Sequence, residues 1–226
     1  MYWFARLIFF LVLVTGPLLG GCKFNGNDPI VIFAPSSMMK VLEELGLSFD
    51  SEFDDVVISY GGSTFLAHQI LRGAKPDVFI AAGSTPMDLI ERHDVNHVSS
   101  RFNLISNRLV IVGNSQKILI EDPLSLKDSN IKRIAVADPK FAPSGLYTQQ
   151  FFNYFELGSL LQNKLIYGMN VRDTLQYVLS GNADVGIVYR TDAINNELDI
   201  LYLIPEESHL PIRYPVSILG NSKEKY

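Results

Sequence analysis

The sequence predicts an α/β protein of two lobes, each a mostly parallel sheet flanked by helices, with a cleft between them. Three observations carry this reading. Short apolar strands alternate with amphipathic helices from Ile30 onward, which is the pattern of a parallel sheet with helices on both faces. The rhythm breaks around Phe102–Asn107 and a second α/β unit begins at Ile131, so the chain is expected to cross between lobes near Ser106. The turns that lead strands into helices are also built repeatedly from Ser, Gly, Pro and Asn, two in each lobe.

Taken in order, Ile30-Val31-Ile32-Phe33 is a strand that runs into Pro35-Ser36-Ser37. Met38, Val41, Leu42 and Leu45 then fall at helical spacing, with Ser37 as the expected N-cap. Phe49 and Phe53 keep that spacing. Val56–Tyr60 is the second strand. Gly61-Gly62-Ser63 follows, with Ser63 capping a helix marked by Leu66, Ala67, Ile70 and Leu71 and ended by Gly73. Pro76–Ala82 is the third strand, and Thr85, Pro86 and Asp88 suggest a capped helix start in capping-box form.

Arg108–Val112 is a strand followed by a long loop, Gly113–Asn130. Ile131–Ala137 leads through Asp138–Gly145 into a helix over about Leu146–Glu156. Leu165-Ile166-Tyr167 leads through Gly168-Met169-Asn170 into a stripe of Val171, Leu175, Val178 and Leu179 that ends at Gly181. Ala183–Tyr189 is another strand. Asp199–Ile204 and Val216–Leu219 are late strands expected to return to the first lobe. The boundaries drawn are 29–106 with 193–226 for the first lobe, and 107–192 for the second.

Composition narrows the classes. At 226 residues the chain suits two modest lobes. Its net charge is −5 and it carries no basic run, which argues against a nucleic-acid partner. Residues 1–21 read as a secretory signal. The start is weakly basic, Leu7–Val14 is an apolar stretch too short to span a bilayer, and small residues precede Cys22. Cys22 is the sole cysteine, so the mature domain has no disulfide, no thiolate metal site and no cysteine nucleophile. Leu19-Gly20-Gly21-Cys22 resembles a lipobox, which implies cleavage after Gly21 and a lipid anchor on Cys22. Residues 22–28 form a polar tether.

Four turns therefore share one design: Pro35-Ser36-Ser37, Gly61-Gly62-Ser63, Pro143-Ser144-Gly145, and Gly168-Met169-Asn170 ahead of Val171. In open α/β sheets ligands bind beyond the carboxyl ends of the strands, where such turns gather. Helix N-termini offer unpaired N–H groups and a positive dipole end. No Lys or Arg sits at a turn tip, so an anion there would be held by neutral donors. A site made only of donors suits an oxyanion that is fully ionised at neutral pH. Hydrogen phosphate, which keeps a proton, would need an acceptor carboxylate. Sulfate, molybdate and tungstate meet the first description.

The ordered set Ile32–Ser37, Gly61–Ile70, Gly73–Ala82, Asp138–Tyr147, Asn170-Val171-Arg172, Val185–Ala193 and Tyr214-Pro215-Val216 resembles the periplasmic molybdate-binding protein of the bacterial molybdate ABC transporter, over about Pro29–Ser217. The resemblance implies a two-lobe periplasmic-binding-protein-like fold, a periplasmic or cell-surface location, and delivery of molybdate or tungstate to a membrane permease. It implies no enzyme activity, no cofactor besides the bound oxyanion, and a monomer. It also implies the ligands: the hydroxyls of Ser37 (Ser36 being the neighbouring alternative) and Ser63, the amides of Ser144 and Val171, and the Tyr189 hydroxyl. Pro35 and Ser144 depart from the family, which has small apolar residues there; Ser144 adds a hydroxyl beside the ligand. The family usually carries a further helix beyond the position of Tyr226, so the first lobe is expected to lack that covering element.

Other readings compete. Ser37-Met38-Met39-Lys40 matches the S-x-x-K motif of a serine hydrolase, but the companion S-D-N and K-T-G motifs are absent, and Lys40 is otherwise a solvated helix residue. His93 and His97 stand at i, i+4 without a third ligand at fixed spacing, which reads as an exposed pair rather than a metal site. His68 reads as a surface residue or one standing behind the ligands. Tyr189 alone would read as a core tyrosine at a strand end. Another oxyanion such as sulfate is the alternative substrate.

Overall fold

The computed structural model of the protein describes residues 29–48, 56–93 and 100–220. The leader with Cys22 and the tether, as well as Phe49, Phe53 and His97, lie outside the described residues. The chain begins with β1 (Ile30–Pro35), a short 3-10 turn (Ser36–Met38) and α1 (Met39–Ser48). It continues with β2 (Val56–Gly61), α2 (Ser63–Leu71), β3 (Val78–Ile80), α3 (Ser84–Arg92) and β4 (Ser100–Ser106). After the crossing come β5 (Leu109–Gly113), β6 (Ile134–Ala137), α4 (Pro143–Tyr154), α5 (Gly158–Leu161), β7 (Leu165–Gly168), α6 (Val171–Leu179), β8 (Val185–Tyr189), α7 (Arg190–Asn195) and β9 (Asp199–Leu203). A second crossing leads to β10 (Arg213–Ile218).

The strands form two five-stranded sheets, ordered β2-β1-β3-β10-β4 and β7-β6-β8-β5-β9. Both are mixed rather than mostly parallel. In the first, β1 is parallel to β2 and β3, whereas β10 is antiparallel to β3 and β4. In the second, β6 is parallel to β7 and β8, whereas β5 is antiparallel to β8 and β9. The reason is geometric. Strands that feed the helix turns run toward the cleft, so a strand that enters a lobe from the crossing must run away from it. β5 and β10 are those entering strands. A second correction concerns Asp199–Leu203: β9 pairs with β5 and stays in the second sheet, and only β10 returns to the first.

Burial follows the strand period of two. Phe33, Phe79 and Ala81 pack under α2 and α3 with Leu66, Ile70, Met87 and Ile90. Their alternates Ala34, Ile80 and Ala82 face the other way and join Tyr214, Val216 and the second lobe's core in one apolar cluster. β5, β6 and β8 are buried along their whole length, as strands covered on both faces should be. On the outer strand β4, Phe102, Leu104 and Ile105 are exposed.

The caps differ from expectation in an informative way. The N-cap positions of α2 and α3 are Gly62 and Gly83, with no side-chain cap. Ser63 is therefore the first residue of its helix rather than its cap, and its hydroxyl is released from capping. Asp88 pairs with Arg101 at 2.6 Å instead of closing a capping box. A reciprocal capping box does occur inside the long loop, where Asp122 and Ser125 cap the 3-10 turn Pro123–Lys127. Helix α4 starts three residues earlier than the apolar pattern indicated, because Pro143 fits the first helical position.

Candidate functional site

The four small-residue turns meet. Pro35, Ser36, Ser37, Gly61, Gly62, Ser63 and Ala82 from the first lobe face Ala142, Pro143, Ser144, Asn170, Val171 and Tyr189 from the second, around one pocket. Ser37, Ser63, Ser144, Val171 and Tyr189 all line it. The pocket has a cavity volume of only about 10 Å³, against the several hundred Å³ of organic-ligand pockets, so it has no room for an organic ligand and suits a single small ion. No charged side chain lines it. Larger hollows lie on the flank of the second lobe and at the chain crossings, but neither gathers the four turns.

Each donor has a local reason for its place. α6 is capped by Asn170, whose Oδ1 accepts from the N–H groups of Arg172 (2.9 Å) and Asp173 (3.1 Å). That cap leaves out the Val171 N–H, the first of the helix, which has no acceptor within it. The Ser144 N–H, at the second position of α4, likewise precedes the helical ladder. The Ser63 Oγ accepts from the Ala82 N–H at 2.9 Å, so its own proton is free for a ligand. The Ser37 Oγ lies 3.0 Å from the Tyr214 Oη. Tyr189 is buried and its hydroxyl donates across the cleft to the Ala82 carbonyl at 3.3 Å. Burial, reinforced by Tyr214, Tyr147 and Asp192, raises the Tyr189 hydroxyl well above the ordinary phenol range, so it stays a protonated donor.

The lobes touch through backbone. The Phe65 N–H donates to the Phe141 carbonyl at 3.1 Å. A Cβ on Gly62 would sit 2.4 Å from that same carbonyl oxygen and 3.1 Å from that of Met169. Glycine at 62 is what allows this approach. The Ser36 Oγ adds a bond to Asn170 Oδ1 at 3.4 Å, and the Lys40 Nζ reaches the Asn195 carbonyl at 3.4 Å.

Beside the pocket a second hollow of about 270 Å³ shares Ser36 and Ser37 and is bordered by Lys40, Arg172 and Asp192. Arg172 contacts the Met39 sulfur there. The Asp192 Oδ2 is buried without a hydrogen-bond partner. Burial pushes its carboxyl up to about 7, against the pull of a backbone bond at Tyr189 and the Arg172 charge.

The rival chemistry is not assembled. Lys40 is exposed and engages Asn195, while the Ser37 Oγ engages Tyr214, so the S-x-x-K pair does not meet. His68 and His93 are exposed, and no group of three or more His, Cys, Asp or Glu that could hold a metal occurs among the described residues. Sequence reasoning missed the parts behind the ligands: Tyr214, Asn107, Ala82 and Asp192. Ala82, Asp192 and Tyr214 fell inside resemblance motifs, but no local pattern gave any of them a role.

A family model described as bacterial extracellular solute-binding protein matches residues 30–225. A protein of Bacillus subtilis (strain 168), whose name contains the words ABC transporter substrate-binding lipoprotein, is 29% identical over 233 residues, covering 96% of this chain and 87% of its own. The molybdate-binding protein ModA of Escherichia coli (strain K12) is 30% identical over 208 residues, covering 89% of this chain and 81% of its own. Among solved structures, the periplasmic molybdate-binding protein of Azotobacter vinelandii matches with a TM-score of 0.76 at 24% identity over 87% of both chains, a likeness of fold. With two mixed-sheet lobes, an ion-sized pocket between them and a family match along nearly all of its described length, the chain belongs to the bacterial extracellular solute-binding proteins.

Proposed function

We propose that this protein captures molybdate or tungstate for an ABC importer and presents the loaded, closed form to the membrane permease. The observation that carries this reading is the pocket itself: neutral donors from both lobes converge on an ion-sized space, and no carboxylate lines it. The Ser37 and Ser63 hydroxyls come from the first lobe; the Ser144 and Val171 amides and the Tyr189 hydroxyl come from the second. An anion bound by both sets stabilises the closed arrangement, since the open one offers it the hydrogen bonds of one lobe only. Nothing in this mechanism alters the ligand, so the protein acts as a carrier and not an enzyme, without a further cofactor. The Leu19-Gly20-Gly21-Cys22 motif and the lipoprotein name of the Bacillus subtilis relative support an anchor on Cys22 and a periplasmic or cell-surface location.

Titration calorimetry with molybdate, tungstate, sulfate, chromate and phosphate tests this. Binding of molybdate or tungstate that Ser37→Ala and Ser63→Ala both weaken is the expected result. Sulfate preferred over molybdate would keep the mechanism and discard the substrate. No binding of any oxyanion, together with labelling of Ser37 by a β-lactam probe, would replace it with the hydrolase reading.

A further inference from the structure

Ser37 and Ser63, the two pocket serines whose hydroxyls are read as ligands, each have a protein donor behind them, but of different kinds. Behind Ser63 is the backbone N–H of Ala82, a donor that cannot reverse. Behind Ser37 is the Tyr214 hydroxyl, which can either give or accept a proton. What fixes its direction lies one step further back. The Asn107 Oδ1 accepts from the Arg108 N–H at 2.9 Å, so the amide nitrogen must be the end turned toward Tyr214. That nitrogen donates to the Tyr214 Oη at 3.1 Å and to the Thr191 Oγ1 at 2.9 Å. Tyr214 is buried, and Ser37 is the acceptor its hydroxyl meets. Were Ser37 to donate to Tyr214 instead, the phenol would receive two hydrogen bonds and its own buried O–H would go unpaired.

We propose that Tyr214, oriented by Asn107, is a positioning residue that makes the Ser37 hydroxyl an obligate donor, and that this relay sets the discrimination between fully ionised oxyanions and those that carry a proton. The inference rests on the oxyanion reading above. To accept from the P–OH of hydrogen phosphate, Ser37 must turn its own proton away from the ligand. The partner the structure offers that proton is Tyr214, at the cost of that unpaired phenol. Molybdate, tungstate and sulfate make no such demand. The relay also spans the crossings: Asn107 follows β4, Tyr214 lies on β10 after the second crossing, and Thr191 belongs to α7 of the second lobe. Its polarity is therefore set where the two lobes hinge.

Competition calorimetry at pH 8 on the wild-type protein and on Tyr214→Phe and Asn107→Asp tests the proposal, with molybdate and hydrogen phosphate as the two probes. Both carry two negative charges at that pH, so the added carboxylate of Asn107→Asp repels them alike and cancels in the ratio of affinities. Tyr214→Phe frees the Ser37 proton. Asn107→Asp offers Tyr214 an acceptor and so reverses the relay. The molybdate-to-phosphate ratio is expected to fall roughly tenfold or more in each, the cost of one buried unpaired hydroxyl having been removed. A role confined to packing would weaken both ligands equally and leave the ratio in place. A ratio unchanged in both folded variants overturns the proposal while the oxyanion reading stands. If Tyr214→Phe fails to fold, the ratio in Asn107→Asp decides alone. Wild-type protein that binds neither probe overturns the oxyanion reading and this proposal with it.

Discussion

Gly62→Ala is expected to disable ligand binding while leaving the fold intact. Gly62 has φ −66° and ψ 129°, which any residue adopts, so alanine introduces no backbone strain. The obstacle lies across the cleft. The new methyl would lie 2.4 Å from the Phe141 carbonyl oxygen, about 1 Å inside an ordinary contact, and this is a backbone atom that cannot rotate away. The lobes must therefore part by about that much. Such a shift takes the three second-lobe donors, the Ser144 and Val171 amides and the Tyr189 hydroxyl, out of hydrogen-bond reach of an anion still seated on Ser37 and Ser63. Hydrogen bonds to a charged group contribute about 1.5–3 kcal/mol each, so losing three amounts to about 4.5–9 kcal/mol, or roughly 10³- to 10⁶-fold in affinity. The ligand-free protein loses only the lobe-to-lobe contact and gains slightly from a stiffer unfolded chain, so its melting temperature should hardly move. Calorimetry gives the affinity and ligand-free thermal denaturation gives the stability. Molybdate binding within about threefold of wild type would refute the claim that closure at Gly62 completes the site.

Three further perturbations separate the donors from their setting. Ser63→Ala should weaken both anion binding and the ligand-free fold, the latter by about 1–3 kcal/mol, because it leaves the Ala82 N–H buried without a partner; calorimetry and urea denaturation measure the two effects. Tyr189→Phe should weaken binding by roughly tenfold or more yet change stability by no more than about 1 kcal/mol, since its bond to Ala82 is long at 3.3 Å. Asp192 predicts a pH dependence. Burial raises its carboxyl to about 7, so the fold favours the protonated form, and stability from this group is fully present below pH 4 and declines as pH rises toward 7. Asp192→Asn should remove that decline, making the variant more stable than wild type at pH 8 by at most about 4 kcal/mol and nearly equal to it at pH 4. Parallel wild-type and variant pH profiles would count against it.

Much of the site could be read locally because its donors sit where strand patterns give way to helix patterns. Ser37, Ser63, Ser144 and Val171 each follow a short apolar run and begin a helical stripe, and those signals are contained within about ten residues. What escaped depends on partners far apart in the chain. Ser37 and Tyr214 are 177 positions apart, Asn107 and Tyr214 are 107, and no local pattern links them. The direction of β5 and β10 and the sheet membership of β9 follow from how the chain enters each lobe, which turn chemistry does not encode. The cap assignments at Ser63 and Thr85 were one and two residues late for a related reason. Ser and Thr are good caps in isolation, but at Gly62 the close approach of the other lobe requires glycine, and the serine is moved into the helix and toward the ligand. Tyr189 is both of its readings at once: a buried strand-end tyrosine, and a hydroxyl at the pocket wall.

The central claim is that one anion bridges the lobes through neutral donors. A crystal structure of the protein grown with tungstate tests it most directly, because tungsten marks its own position by anomalous scattering. A single strong peak is expected between the lobes, with the oxyanion's oxygens about 2.7–3.1 Å from the Ser37, Ser63 and Tyr189 hydroxyls and the Ser144 and Val171 amides. A peak instead in the hollow at the chain crossings, beside Arg108, Arg190 and Arg213, would contradict the claim, as would an anion held by one lobe alone.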